Sequence, residues 1–126
     1  MSGESHGQED LLRLARKKMR DFDTIIDLYD MTFVYMTRES ARVSGHTPRE
    51  MIGKPIADFM TIPRRDQSFT KTIMKSMEGG VVRIPVRTKD GKEKVVEMKH
   101  AVVELEGYPY LVTRAVPKKK PAKKPG

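Results

Sequence analysis

A chain of 126 residues has room for one domain and its arms, because a second domain would need a core of its own. At 37% hydrophobic it holds enough apolar material for one core, and without cysteine it can form no disulfide, thiolate metal site, cysteine nucleophile or sulfur-tethered cofactor. The formal charge of +8 belongs to the arms: residues 117–126 hold five lysines and no acid, residues 1–20 five basic and three acidic side chains, and residues 21–116 fifteen basic against fourteen acidic. No apolar run approaches the roughly 20 residues of a membrane span and residues 1–10 lack a signal-peptide stretch, so a cytoplasmic protein is expected.

In chain order, residues 1–8 are small and polar and are expected to be disordered. Over residues 9–21, Leu11, Leu12, Ala15, Met19 and Phe22 fall on one face at spacings of three and four while Arg13, Arg16, Lys17 and Arg20 mostly face away, which predicts an amphipathic helix. Two uses of that stripe stay open: a cap on the chain's own core, or a dimer contact with a second copy. Thr24–Tyr29 and Phe33–Met36 are β-rich and predict a hairpin. Thr37 can cap a short helix that Gly45 ends, and Thr47-Pro48-Arg49-Glu50 spells a capping box with proline at the first helical position. Gly53 stops that helix and Lys54-Pro55 leads into Ile56–Met60. From Pro63 a longer helix is predicted to about Glu78, with Phe69, Ile73 and Met77 on one face, closed by Gly79-Gly80. Three strands follow, Val81–Thr88, Lys94–Glu104 and Tyr108–Val116, joined at Asp90-Gly91 and Glu106-Gly107. Pro85 cannot donate to a sheet ladder, which puts the first of these at an edge. The expected fold class is α+β, a five-stranded antiparallel sheet with helices inserted between strands two and three, plus the N-terminal helix.

That order, with Asp30 in the first turn, Tyr35, the stretch Gly45-His46-Thr47-Pro48-Arg49-Glu50-Met51-Ile52-Gly53-Lys54-Pro55, the Lys89-Asp90-Gly91 turn and Gly107 before the last strand, resembles the PAS sensor domain over about residues 22–116. Two positions depart from the pattern: Thr37 stands where many PAS domains carry asparagine, and Met31 where a turn glycine is usual. The resemblance implies a signalling module that senses a small ligand, redox state or light, or binds another protein, by changing how the sheet and its flanking helices pack.

The same resemblance sorts the cofactors. A flavin–cysteinyl adduct is excluded for want of a cysteine. Haem-binding members usually take a histidine from the long helix before the third strand; Arg64–Glu78 has none, which argues against haem and leaves the cofactor unassigned. His6 falls in the N-terminal arm, and His46, just before a helix cap, is expected to face solvent. Period-two alternation puts His100 on one strand face with Val96, Met98 and Val102, the face that helices cover in a PAS fold. His100 is therefore either a hydrogen-bonded core histidine or a polar group in an internal pocket. With it, Met98, Phe59, Phe69, Ile73, Met77, Ile84 and Tyr110 are the candidate pocket residues, and Ile26, Leu28 and Val86 belong to the same core or pocket face. Nine methionines, against eight phenylalanines and tyrosines together, suit a small apolar ligand or a packing surface equally. No G-x-S-x-G, phosphate-cradling glycine loop or metal-spaced cluster occurs, so neither an enzyme nor a metal site is expected.

The tail lysines Lys118, Lys119, Lys120, Lys123 and Lys124 are candidates for sequence-nonspecific polyanion contact, since lysine neutralises phosphate without reading bases. The reading is a stand-alone PAS sensory or protein-interaction module that dimerises or acts through a signalling partner. The alternative is a small basic nucleic-acid-associated protein that uses the PAS scaffold and the lysine tail.

Overall fold

The computed structural model describes residues 3–60 and 81–116, with side chains from residue 8 onward in the first stretch. Helix α1 (Gly3–Lys18) leads to strands β1 (Thr24–Asp27) and β2 (Thr32–Met36), short helices α2 (Arg38–Arg42) and α3 (Pro48–Met51), and a 3-10 turn at Ile56–Asp58. Strands β3 (Val81–Arg87), β4 (Glu93–Leu105) and β5 (Tyr108–Ala115) complete one antiparallel sheet of order β2-β1-β5-β4-β3. The predicted long helix, with Phe69, Ile73 and Met77, and the lysine tail lie outside the described residues.

Local chemistry sets the element ends. The Asp27 carboxylate accepts the N–H groups of Tyr29 and Asp30 at 2.8 and 2.9 Å, an Asx turn that stops β1 two residues before the expected Tyr29. Met31, where the family pattern has glycine, adopts φ +59° all the same. Its backbone is held by bonds from its N–H to Asp27 O and from Ile56 N–H to its carbonyl, at 2.7 and 3.0 Å. Thr37 Oγ1 accepts the Ser40 N–H at 3.1 Å and caps α2. The capping box forms as the sequence spells it: Thr47 Oγ1 accepts the Glu50 N–H and Glu50 Oε1 accepts the Thr47 N–H. Pro85 lies on the edge strand, turned away from the covered face.

Helix α1 corrects the sequence reading of its start, for it begins at Gly3 rather than Glu9 and takes in most of the segment expected to be disordered. Arg16, Lys17 and Lys18 occupy its last turn, where a helix macrodipole favours positive charge.

The sheet is covered on both faces. On one face, Phe33, Ile56, Met51, Ala41, Val86 and Leu111 form the inner core with Ile26 and Ile84. On the other, Leu11 and Ala15 of α1 join Phe22, Ile25, Val103 and Val112. Ala15, Ile25 and Val112 have no exposed surface at all. The α1 stripe thus packs on the chain's own sheet. Leu11, Ala15 and Phe22, for which a dimer contact was the other open use, are buried inside the chain, with Leu12 and Met19 half-buried at the margin. A second copy cannot reach the first three while α1 stays down.

The β4–β5 turn carries φ +55° at Glu106 and +82° at Gly107, the left-handed pair of a type I′ hairpin. Glutamate is strained there, whereas asparagine tolerates the region. Glu106→Asn is therefore expected to raise stability by about 0.5–1 kcal/mol, read as an upward shift in Tm.

Candidate functional site

The inner core is incompletely filled where β1, α2, β4 and β5 meet. A hollow of about 50 Å3 opens there among the described residues, lined by Phe33 and Phe59, by Met36, Met51, Met60 and Met98, by Ile26, Val43, Val86 and Val96, and at one end by Asp23, Thr24, Ser40, Ser44 and Thr113. A single water needs roughly 10–15 Å3 of such space, so the hollow holds a guest of a few heavy atoms. Four unbranched thioethers around it let the walls adapt to the guest.

The polar end is a connected network. Thr24 Oγ1 donates to Asp23 Oδ1 at 2.9 Å and lies 2.7 Å from Ser40 Oγ, so the Ser40 hydroxyl donates to Thr24. Asp23 Oδ2 accepts the Ala115 N–H at 2.9 Å, and the Asp23 backbone binds Thr113 O and the Thr37 N–H. Burial pushes the Asp23 carboxyl above the ordinary carboxylate value, offset in part by the Ala115 N–H, the Thr24 hydroxyl and the Arg114 guanidinium. An outer groove formed by Asp21, Phe22, Asp23, Thr37, Glu39, Ser40, Val43, Arg114 and Ala115 shares Asp23, Ser40, Val43 and Ala115 with the hollow. The network is thus a wall between interior and solvent, and Asp23 follows directly on Phe22, which packs in the cluster under α1. Every buried side-chain nitrogen or oxygen among the described residues is hydrogen-bonded.

The structure brings some of the sequence candidates together. His100 is buried at 4% exposure on the inner face, as its alternation predicted, in a smaller hollow with Met98, Ile84, Val82 and Leu111. That hollow adjoins the first through Ile26, Met60, Met98 and Thr113. Phe59 lines the larger one and stacks edge-on against Phe33 at 5.8 Å.

Two expectations are corrected. Tyr110 is on the opposite sheet face, packed beside the α1 cluster and 5.1 Å from the ring of Tyr108. The register explains it: the two-residue turn pairs Leu105 with Tyr108 and so Val103 with Tyr110, whereas the inner-face Val102 meets Leu111. Tyr110 therefore lines no part of the hollow. His46 is not turned to solvent; its side chain is 18% exposed, its ring meets Phe59 at 5.0 Å, and Nδ1 lies 3.0 Å from Glu50 Oε1. Hydrogen bonds from the Thr47 N–H, His46 and Lys89 hold the Glu50 carboxyl below its ordinary value.

Sequence reasoning missed Asp23, Thr24 and Ser40. The available signal was an acid and a threonine wedged between Phe22 and the apolar Ile25-Ile26, where a charge has to find partners. Among the described residues no group of three His, Asp or Glu side chains is placed to hold a metal, and no helix is long and apolar enough to cross a membrane.

No family model and no curated protein matches the chain. Solved structures do. The PAS domain of an HTR-like protein from Haloarcula marismortui superposes with a TM-score of 0.57 at 20% identity, over 90% of this chain and 97% of that one. The PAS-B domain of Drosophila melanogaster Cycle, with bound ethylene glycol, gives 0.58 at 13% identity, over 75% and 97%. A PAS domain from a two-component sensor histidine kinase gives 0.59 at 13%, over 86% and 99%.

Proposed function

The chain has the PAS fold, and from that premise we propose that it is a non-catalytic sensory and protein-interaction module of signal transduction, answering a small molecule held in the methionine-lined hollow. The observation that carries this reading is the Asp23–Thr24–Ser40 network. It faces the hollow on one side, and on the other it joins the segment between α1 and β1 to α2 and β5. A guest that takes a hydrogen bond from Ser40 or Thr24 has to rearrange the bonds that fix Asp23, and with them the seat of Phe22 beneath α1. The signal then leaves through α1 to a second copy or a signalling partner in the cytoplasm.

Size and chemistry define the guest as a neutral molecule of a few heavy atoms with an apolar body and one hydroxyl or amide. Ethylene glycol and glycerol, bound in the structures of Drosophila Cycle PAS-B, are of that scale and serve as probes. Met98→Trp fills the hollow. Mass spectrometry of small molecules released from the protein purified from cells, with a thermal-shift titration of ethylene glycol, is the test. The wild-type chain is expected to release a stoichiometric small molecule or to show a saturable Tm rise, and Met98→Trp, folded by circular dichroism, to show neither. Identical behaviour of the two proteins would overturn the assignment.

A further inference from the structure

The two hairpin turns β1–β2 and β4–β5 lie at the same end of the sheet, since Asp27 pairs with Tyr110 and the Leu28 N–H bonds Pro109 O. That end differs in composition from the rest of the chain. Residues 21–37 and 100–113 contain no lysine or arginine, although the chain has 25. They place Asp27, Asp30, Glu104 and Glu106 about the two turns, the last three exposed. The nearby Lys54 is turned away, its ammonium 3.1 Å from Glu50 O.

Among these carboxylates stands a ladder of aromatic rings. Tyr29 meets Tyr108 edge-on at 5.7 Å, and Tyr108 meets Tyr110 at 5.1 Å. Tyr110 touches the margin of the α1 cluster, so the ladder carries that apolar face out from under the helix into solvent, where Tyr29 is 78% exposed. The middle ring is fixed, for the Tyr108 hydroxyl donates to both Asp27 oxygens at 3.0 and 2.8 Å. Rigid, spaced tyrosines next to negative charge form the surface that proline-rich cationic segments recognise, by ring stacking on proline and by cation–π and ionic contacts to lysine.

We propose that this tyrosine ladder and its carboxylates dock the Lys/Pro segment 117–126 of a second copy of the chain. That segment, PKKKPAKKPG, carries five positive charges and three prolines. A polyproline II helix rises ~3.1 Å per residue, so three or four residues of a proline-rich ligand span the ladder. The segment follows Val116, at the far end of β5 from Tyr108. A strand of that length puts its start roughly 25 Å away, so a chain's own tail would have to double back along the whole strand while a neighbour's tail arrives directly. The contact is head-to-tail, a heterologous interface in which each copy offers a different surface. It does not depend on the ligand reading above, because neither the hollow nor the Asp23 network takes part.

Sedimentation velocity on full-length protein tests it, in about 20 mM and about 300 mM salt, on either side of the ~10 Å Debye length. Association that rises with concentration and weakens roughly tenfold or more in the higher salt is expected. It should be lost in Asp30→Lys/Glu104→Lys, which alters exposed side chains only, in Tyr29→Ala, and in a chain with all five tail lysines changed to glutamate. Mixing the Asp30→Lys/Glu104→Lys chain with the wild-type tail and the tail-reversed chain with the wild-type ladder should restore a one-to-one dimer. A wild-type chain that stays monomeric in low salt overturns the proposal. So does association that survives tail reversal, or a mixture that forms no heterodimer. Tail-dependent binding to random DNA with no self-association would assign the segment to polyanions instead.

Discussion

Replacing Ala15 with arginine is expected to release α1 from the sheet at a cost of about 3–5 kcal/mol, the largest single effect foreseen for this chain. Ala15 has no exposed surface and sits with Leu11 in the cluster completed by Phe22, Ile25, Val103 and Val112. A guanidinium has neither room nor a partner there. The helix therefore leaves rather than bury the charge, and Leu11, Val103 and Val112 become wet. Urea denaturation should show the loss, and hydrogen exchange should show α1 amides unprotected while the amides of β4 and β5 stay protected. The same variant decides between the two uses that the sequence left open for the apolar stripe. If the helix served a second copy instead, Ala15→Arg would convert a dimer to a monomer without loss of intrachain stability. A change below about 1 kcal/mol would contradict the seat described here.

The second large effect concerns Asp23. Its folded carboxyl holds its proton more tightly than the unfolded chain does, because burial outweighs the hydrogen bonds from Ala115 and Thr24. The folded state thus binds more protons between the ordinary value of 3.8 and the raised one, so this group's contribution to stability is present below the former and is lost as pH rises through the latter. Asp23→Asn removes that pH dependence and keeps an acceptor for the Ala115 N–H, so at neutral pH it should match or exceed wild-type stability. Asp23→Ala leaves the Ala115 N–H and the Thr24 hydroxyl without their acceptor and is expected to cost about 1–3 kcal/mol. Urea melts of the three proteins from about pH 3 to pH 8 separate these outcomes. Equal loss in the asparagine and alanine variants would mean that the charge, not the hydrogen-bond pattern, holds the wall.

Features governed by short-range chemistry were legible in the sequence. The Thr47–Glu50 capping box, the Glu106-Gly107 turn, the edge position of Pro85 and the inward face of His100 each follow from a rule acting over a few residues, and each is present, whereas at the β3–β4 turn Gly91 takes a positive φ and Asp90 does not. The destination of α1 was not legible, because an apolar stripe states that something covers it and not what. Tyr110 was misplaced because Tyr108, Pro109, Tyr110, Leu111 and Val112 are apolar at successive positions, as befits a central strand covered on both faces, and such a run has no period to read. Counting back from the two-residue turn would have settled its face. The Thr24–Ser40 bond joins residues sixteen positions apart, and the link from Asp23 to Ala115 spans ninety-two, distances at which only the folded register makes neighbours.

The central claim is that a guest in the hollow is felt at α1 through Asp23. The direct measurement is a two-dimensional amide NMR titration of the full-length protein with ethylene glycol, repeated on Met98→Trp. Saturable shifts are predicted at Thr24, Ser40, Met98 and Thr113 and, with the same midpoint, at Leu11 and Ala15, all absent in the filled variant. Saturable shifts at the hollow with none in α1, or none at the hollow at all, would contradict the account.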